Sequence, residues 1–512
     1  QAWAESVSRS DHGALAYGDL PWWTAIVLAV PNVFGDGKPD YLGPPFFYPT
    51  VAGYSGAAAA LLAGVAAWRR RGRPETAALV AMAAVALCAQ FGVPPVDWIV
   101  RGLPPWNAGN ASRTFHVIAL AVALGAGAGV AELARRPLRG RIAAAIGVGA
   151  AAVVGVWLAG LMAAGELPAP RSVEVRAAVR CALALAAGAA CLWLLGRTRP
   201  LAAVAVVAAV VALDAAYLRG FNVVLPAREA YPPATPALRA LDTATGPEEP
   251  VRVAGLWRGG APPFALPPNT GMLQRLEAVQ GYDFPPSTRW AEFSRDVLGQ
   301  VGTTPELTWN VAPRTSGAAL TGLRLLGVRY YVTAPGAAAP AAGLARFHAG
   351  ADATVWEDRA ALPRAFVVGR ERRLGRSAAL GAFARGEIDP RREVVVAPDA
   401  PRVPPGGPSR AVAARARRVA PDRLRIDVPA GARGWLVVGQ GHWAFWRARV
   451  DGRDAPLVPA DHALMAVPLA AGARQVEVFL DRRVAYAGFG LSALGLLGVA
   501  ALAWPRRRER PA

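Results

Sequence analysis

The sequence predicts a polytopic α-helical membrane protein with a large extracytoplasmic α+β region ending in a β-sandwich. Three observations predict it. Hydrophobic residues make up 54% of the 512-residue chain, and the mean hydropathy of +0.27 is high for a water-soluble protein. Seven apolar segments fall at 51–68, 76–93, 114–134, 142–163, 177–195, 201–218 and 485–504, each near the ~20 residues that cross a bilayer as a helix. A long polar insertion between the sixth and seventh ends in short strand-like runs, separated by turn residues about every 8–12 positions.

The spans come first. None alternates with period two, which argues against a transmembrane barrel, and the Ala-rich runs 51–68 and 76–93 are the weakest. Their orientation follows from arginine placement. The clusters Arg69–Arg73, Arg135–Arg141, Arg197–Arg199 and Arg506–Arg510 fall at alternate ends of successive spans, so all four can be cytoplasmic at once. That puts 1–50, 94–113, 164–176 and 219–484 outside. The net charge of +20 with a single lysine, Lys38, is therefore spread between apolar runs. It does not form the basic stripe that nucleic acid needs, and no nucleic-acid partner is expected. Because Gln1 opens an expected outer segment with no signal or span before it, the reading expects the C-terminal portion of a longer protein. Cys88, Cys181 and Cys191 all lie within apolar runs, where small packing residues are the simpler reading than a disulfide or metal site.

Four regions follow: a six-span membrane region with outer loops over 1–218, an α+β subdomain over 219–400, a β-sandwich over 401–484, and a last span with a basic tail over 485–512. The boundary at 401 is the Pro401–Pro408 cluster, a loop signal. Before it, the runs 251–254, 328–333 and 365–368 read as strands and 289–298 as a helix. After it, 424–428, 435–438, 447–450, 463–467 and 475–479 read as strands. Asp451-Gly452 marks a hairpin because its turn needs positive φ at both residues.

Several segments resemble, in order, the YfhO-like bacterial membrane proteins. They are Pro31–Gly35, Tyr41–Gly43, Leu103–Arg113, Gln280-Gly-Tyr-Asp283, Leu323-Arg-Leu-Leu-Gly-Val-Arg-Tyr-Tyr-Val-Thr333, Trp356-Glu-Asp through Arg364-Ala-Phe366, and Gly441-His-Trp through Val476-Glu-Val-Phe479 before the last span. The resemblance covers nearly the whole chain. It implies a GT-C-type glycosyltransferase in the bacterial plasma membrane, with a polyprenyl-phosphate sugar donor and a surface or cell-wall glycan acceptor. The alternative is a non-catalytic protein that binds or transports envelope glycans or their lipid carriers. The catalytic carboxylate that the family implies lies upstream of Gln1 and maps to no residue here.

Within the chain, Asp36-Gly-Lys38-Pro-Asp40 places two carboxylates and the lysine on one outer loop. A transferase needs a base for the acceptor and cations for a phosphate leaving group, so Asp36 and Asp40 are candidate bases and Lys38 a candidate phosphate contact. A solvated Gly/Pro turn is the plainer reading. Asp97, Arg101 and Arg113 flank the next loop, where arginine can clamp a lipid phosphate or simply snorkel. Arg180 and Asp214 lie about a turn inside their spans, as functional charges or as a pair. Of Trp443 and Trp446, one is expected in the core and the other against a sugar or the bilayer interface. Gly125-Ala-Gly127-Ala-Gly129 reads as close helix packing rather than a nucleotide loop. His12, His116, His348, His442 and His462 show no ligand spacing. No cofactor is identified, and a divalent-metal requirement is not readable from these residues.

Overall fold

The computed structural model describes residues 21–30, 33–34, 54–103, 114–165, 171–195, 197, 200–222, 235–244, 252–256, 271, 276–281, 287–300 and 313–503. They fall into two compact units, a helical one within Arg9–Ala227 and a β-rich one within Arg228–Ala512. The protein is thus mixed helix and sheet.

In the helical unit each of the first six apolar segments is a helix: α1 (Ala57–Arg69), α2 (Pro74–Gln90), α4 (Phe115–Arg135), α5 (Gly140–Ala163), α6 (Arg171–Leu194) and α7 (Pro200–Asn222). A short α3 (Val96–Gly102) follows α2. Helix α2 starts on Pro74 with Glu75 in its first turn, since proline presets φ and an acid complements the N-terminal dipole. Among the described residues, α4 and α5 are the helices long and apolar enough to cross a membrane, with mean hydropathies of 2.0 and 2.2. The apolar stretches of the others are shorter.

Helix α4 packs on α1 through the glycine run. A Cβ on Gly129 would sit 2.2 Å from the Leu62 carbonyl oxygen and one on Gly125 2.9 Å from Ala63 Cβ, whereas Gly127 faces open space. Two of the three glycines therefore form the close approach, at the i, i+4 spacing of one helix face. Arg180 and Asp214 pair at 4.0 Å, and the Tyr54 hydroxyl donates to Asp214 Oδ2 at 2.7 Å. All three cysteines are free, Cys181 and Cys191 buried.

The β-rich unit contains two sheets. The first has order β2-β1-β3-β5-β4, where β1 is Arg252–Gly255, β2 Glu277–Ala278, β3 Val328–Thr333, β4 Ala345–Ala349 and β5 Thr354–Glu357. Strands β1, β2 and β3 run parallel, and β5 lies antiparallel between β3 and β4. Helix α8 (Pro236–Ala244) buries Leu238 and Leu241 with Val253, Tyr330 and Val355. Helices α9 (Thr288–Asp296) and α10 (Gly317–Leu325) follow. Ser287 caps α9 by accepting from the Trp290 N–H at 3.2 Å, as an N-cap serine should.

The second sheet has eleven strands and forms a C-terminal half-barrel. Its elements are β6 (Ala365–Val368), β7 (Arg370–Arg373), α11 (Arg376–Ala384), β8 (Glu393–Val396), β9 (Val412–Ala420), β10 (Arg423–Asp427), β11 (Gly434–Val438), β12 (Trp446–Val450), β13 (Arg453–Ala455), β14 (Val458–Ala460), β15 (Leu464–Leu469) and β16 (Gln475–Leu480). A small sandwich confined to 401–484 was expected. Instead the strands after 401 share one hydrogen-bonded sheet with β6, β7 and β8, because β6 pairs with both β9 and β11 across the proline cluster.

Strands β6, β11 and β15 are buried on both faces. Phe366, Val368, Trp435, Val437, Leu464 and Ala466 enter one core with α9, α10 and α11. Their neighbours Ala365, Val367, Leu436, Val438, Met465 and Val467 enter a second with Ile426, Val476 and Val478. Period-two geometry sends successive side chains to opposite faces, so a strand with two cores reads as a continuous apolar run. That is what Trp-Leu-Val-Val and Leu-Met-Ala-Val are.

Asp451 (φ 49°) and Gly452 (φ 81°) make the expected hairpin turn between β12 and β13. A second turn has two non-glycine residues at positive φ, Asp461 (46°) and His462 (66°), joining β14 to β15. Asp461 is buried, and its Oδ1 accepts from the Val395 N–H at 2.8 Å. Two residues separate β16 from helix α12 (Arg483–Ala503), of which residues 483–498 are all exposed.

Candidate anion-binding cleft

Four side chains meet where β1 and β2 approach the entry to β6 and the far end of β9. Parallel pairing sets Arg252 opposite Glu277. Gly327, at φ 75°, closes α10 and turns the chain into β3, which aims the Leu326 carbonyl at Arg252. Arg252 Nη1 donates to the carbonyl oxygens of Leu326 (2.6 Å) and Gly439 (2.9 Å), and Nη2 to Glu277 Oε2 (3.1 Å). Arg364 Nη1 also bonds Glu277 Oε2 while its Nη2 donates to Gln440 Oε1 at 2.6 Å. Arg418 Nη2 reaches Glu277 Oε1 from β9.

Three guanidinium groups thus share one carboxylate, in side chains only 12% (Arg252), 18% (Arg364), 34% (Arg418) and 14% (Glu277) exposed. Burial pulls Arg252 well below its ordinary range, and the charges of Arg364 and Arg418 push the same way. Burial brings Arg364 down to about 10 and lowers Arg418. A guanidinium stays protonated at neutral pH, so these shifts express chiefly the cost of holding charged groups away from water, with mutual repulsion added at Arg252.

The cluster lines a cavity of about 830 Å³. Its lining includes six arginines (Arg252, Arg329, Arg359, Arg364, Arg415, Arg418) against two carboxylates, Glu277 and Asp358, with apolar wall from residues such as Leu362 and Leu424. Asp358 is buried and held by Arg324 Nε at 2.7 Å. Arg329 and Arg359, 51% and 81% exposed, stand over Glu357. Both lining carboxylates already hold arginines, so what the cleft offers chemically is electrostatic recognition of an anion.

Among the described residues, neither Trp443 nor Trp446 lines this cleft. Asp36, Lys38, Asp40 and Arg113 lie outside the described residues. Asp97 is buried in the first turn of α3, which also contains Arg101. Trp446 is half-buried against the second core and Trp443 is half-buried beside it in sequence. Among the described residues the fully buried tryptophan is Trp435, whose Nε1 donates to Glu371 Oε2 at 2.7 Å. Gln280 clamps the Gly255 backbone from both sides of its amide. No local pattern announces the cleft, because Arg252, Glu277, Arg364 and Arg418 are brought together only by strand pairing. Leu323–Thr333 and Trp356–Phe366, two of the segments singled out in the sequence, supply much of its wall. Among the described residues no group of three or more His, Cys, Asp and Glu could hold a metal ion.

Protein-family models, curated proteins and solved structures show no match to this chain.

Proposed function

We propose that this chain works in a bacterial plasma membrane as a GT-C-type glycosyltransferase, moving sugar from a polyprenyl-phosphate donor to a surface or cell-wall glycan, with the β-rich unit on the outer face. The observation that carries the reading is the cleft itself: two separate segments bearing the resemblance fold into one arginine-lined wall. Membrane residence is supported by exposed apolar side chains that water would not tolerate as a continuous surface. In α12, Phe489, Leu491 and Leu496 are 70–71% exposed, and in α5 Val148, Val153 and Val156 are similarly open. On this reading Lys38, Asp97, Arg101 and Arg113 are candidate contacts for the lipid-linked donor, Asp36 and Asp40 are candidate bases, and the cleft receives the glycan.

A second reading has a specific observation in its favour. Among its described lining residues the cleft offers cations and no unengaged carboxylate, which suits a protein that binds an envelope glycan without transferring sugar.

The test uses cells lacking the native protein, supplied with the complete native protein or with its Arg418→Gln variant, and follows labelled sugar into envelope glycan. Restoration by the parent and at least about a tenfold loss in the variant, at equal membrane abundance, is expected if a charge-assisted contact is removed. Glycan retention without any labelled transfer by the parent would favour the binding reading.

A further inference from the structure

We propose that the arginine cleft binds the phosphoryl group of a phosphorylated glycan, alongside Glu277. The inference rests on the reading of the cleft as the glycan-receiving surface.

The charge count points to the ligand. Arg252, Arg364 and Arg418 converge on Glu277 alone, which leaves two positive charges in a partly buried place. A phosphomonoester carries about −1.5 to −2 near neutral pH and presents three strong acceptor oxygens. One such group matches the excess, while a uronate supplies a single charge. Arginine is also the residue whose planar fork fits phosphate with paired hydrogen bonds.

The three arginines differ in what they can give. Arg252 is pinned to two carbonyl oxygens and the carboxylate, so it holds the sheets together and supplies field. Arg418 bonds Glu277 through Nη2 and is the most exposed of the three, which makes it the one positioned to meet a ligand directly. Exposed Arg329 and Arg359 at the rim would draw an anion inward. The apolar wall around Leu362 and Leu424 suits the carbon face of a sugar, and a cavity of about 830 Å³ holds a glycosyl phosphate with room for a neighbouring residue.

The experiment uses the full chain in detergent and measures binding of glucose 1-phosphate, glucuronate, glucose and farnesyl phosphate by calorimetry at two salt concentrations. Saturable, salt-sensitive binding of glucose 1-phosphate is expected, with glucuronate about tenfold weaker or worse and glucose silent. Arg418→Gln should weaken phosphate binding about 10–100-fold with thermal unfolding unchanged. Glu277→Gln should tighten it, since a like charge is removed. Should Glu277→Gln fail to fold, recovery of folding by added phosphate supports the same assignment, and failure to recover counts against it. Farnesyl phosphate binding more tightly than glucose 1-phosphate would move the source from the glycan to a lipid carrier and overturn the glycan half of the proposal. Equal binding of glucuronate, or phosphate binding indifferent to Arg418→Gln, would overturn the whole. Phosphate binding without sugar transfer sinks the transferase alone, and transfer without phosphate binding sinks this inference alone.

Discussion

Asp461 sits at positive φ in a buried turn, and burial raises its carboxyl to about 7 despite the hydrogen bond from the Val395 N–H, with the Glu393 charge adding to the rise. A raised carboxyl favours folding while it is protonated. The unfolded chain loses its proton near the ordinary carboxylate value, so Asp461 costs the fold stability as pH rises from about 4 to about 7. Asparagine keeps the acceptor for Val395 and tolerates this backbone conformation. Asp461→Asn should therefore match the parent at pH 4 and exceed it at pH 8, by at most about 4 kcal/mol, in denaturant melts followed by tryptophan fluorescence. Parallel pH profiles for the two proteins would refute the assignment. His442 works in the opposite direction: burial, then Arg289, lowers it to about 4, so its contribution is lost as pH falls below the usual histidine range. Comparing parent with Asp461→Asn cancels that term. At this scale the sequence was least informative. Arg364 stood inside a quoted segment, but nothing in local spacing tied it to Glu277, 87 residues away, or marked Trp435 over Trp443 as the buried indole.

At the scale of elements far more was legible, because period and turn chemistry act locally. Strands expected at 328–333 and 365–368 appear with those bounds, the helix near 289–298 appears as Thr288–Asp296, and Asp451-Gly452 turns where its φ requirement says it should. The glycine run allows a sharper test. Gly129→Ala places a methyl against the Leu62 carbonyl oxygen, whereas Gly127→Ala meets nothing. The first should destabilise the helical unit by about 1–3 kcal/mol, the usual cost of overpacking, and the second should leave it unchanged. Thermal unfolding in detergent separates them, and equal effects would show that α1 and α4 do not pack through this face.

At the scale of the whole molecule, helix-by-helix apolarity was readable while sheet membership was not. Proline and glycine in 401–408 signal a loop correctly, but a loop says nothing about which strands meet beyond it. Long-range pairing decided the rest: β6 lies between β9 and β11, which have no hydrogen bonds to each other in the sheet order. A chain started at residue 401 would consequently carry a vacant slot one strand wide, with two rows of unpaired amides and carbonyls facing each other. Residues 401–484 alone should aggregate or unfold without cooperativity, and a peptide spanning 362–370, offered in trans, should be captured as a donor strand and restore a cooperative melt. A soluble monomer that melts cooperatively without the peptide would contradict this. The slot makes the protein's own Ala365–Val368 the key to its C-terminal half, so a ribosome must have finished both sides of the proline cluster before either can close.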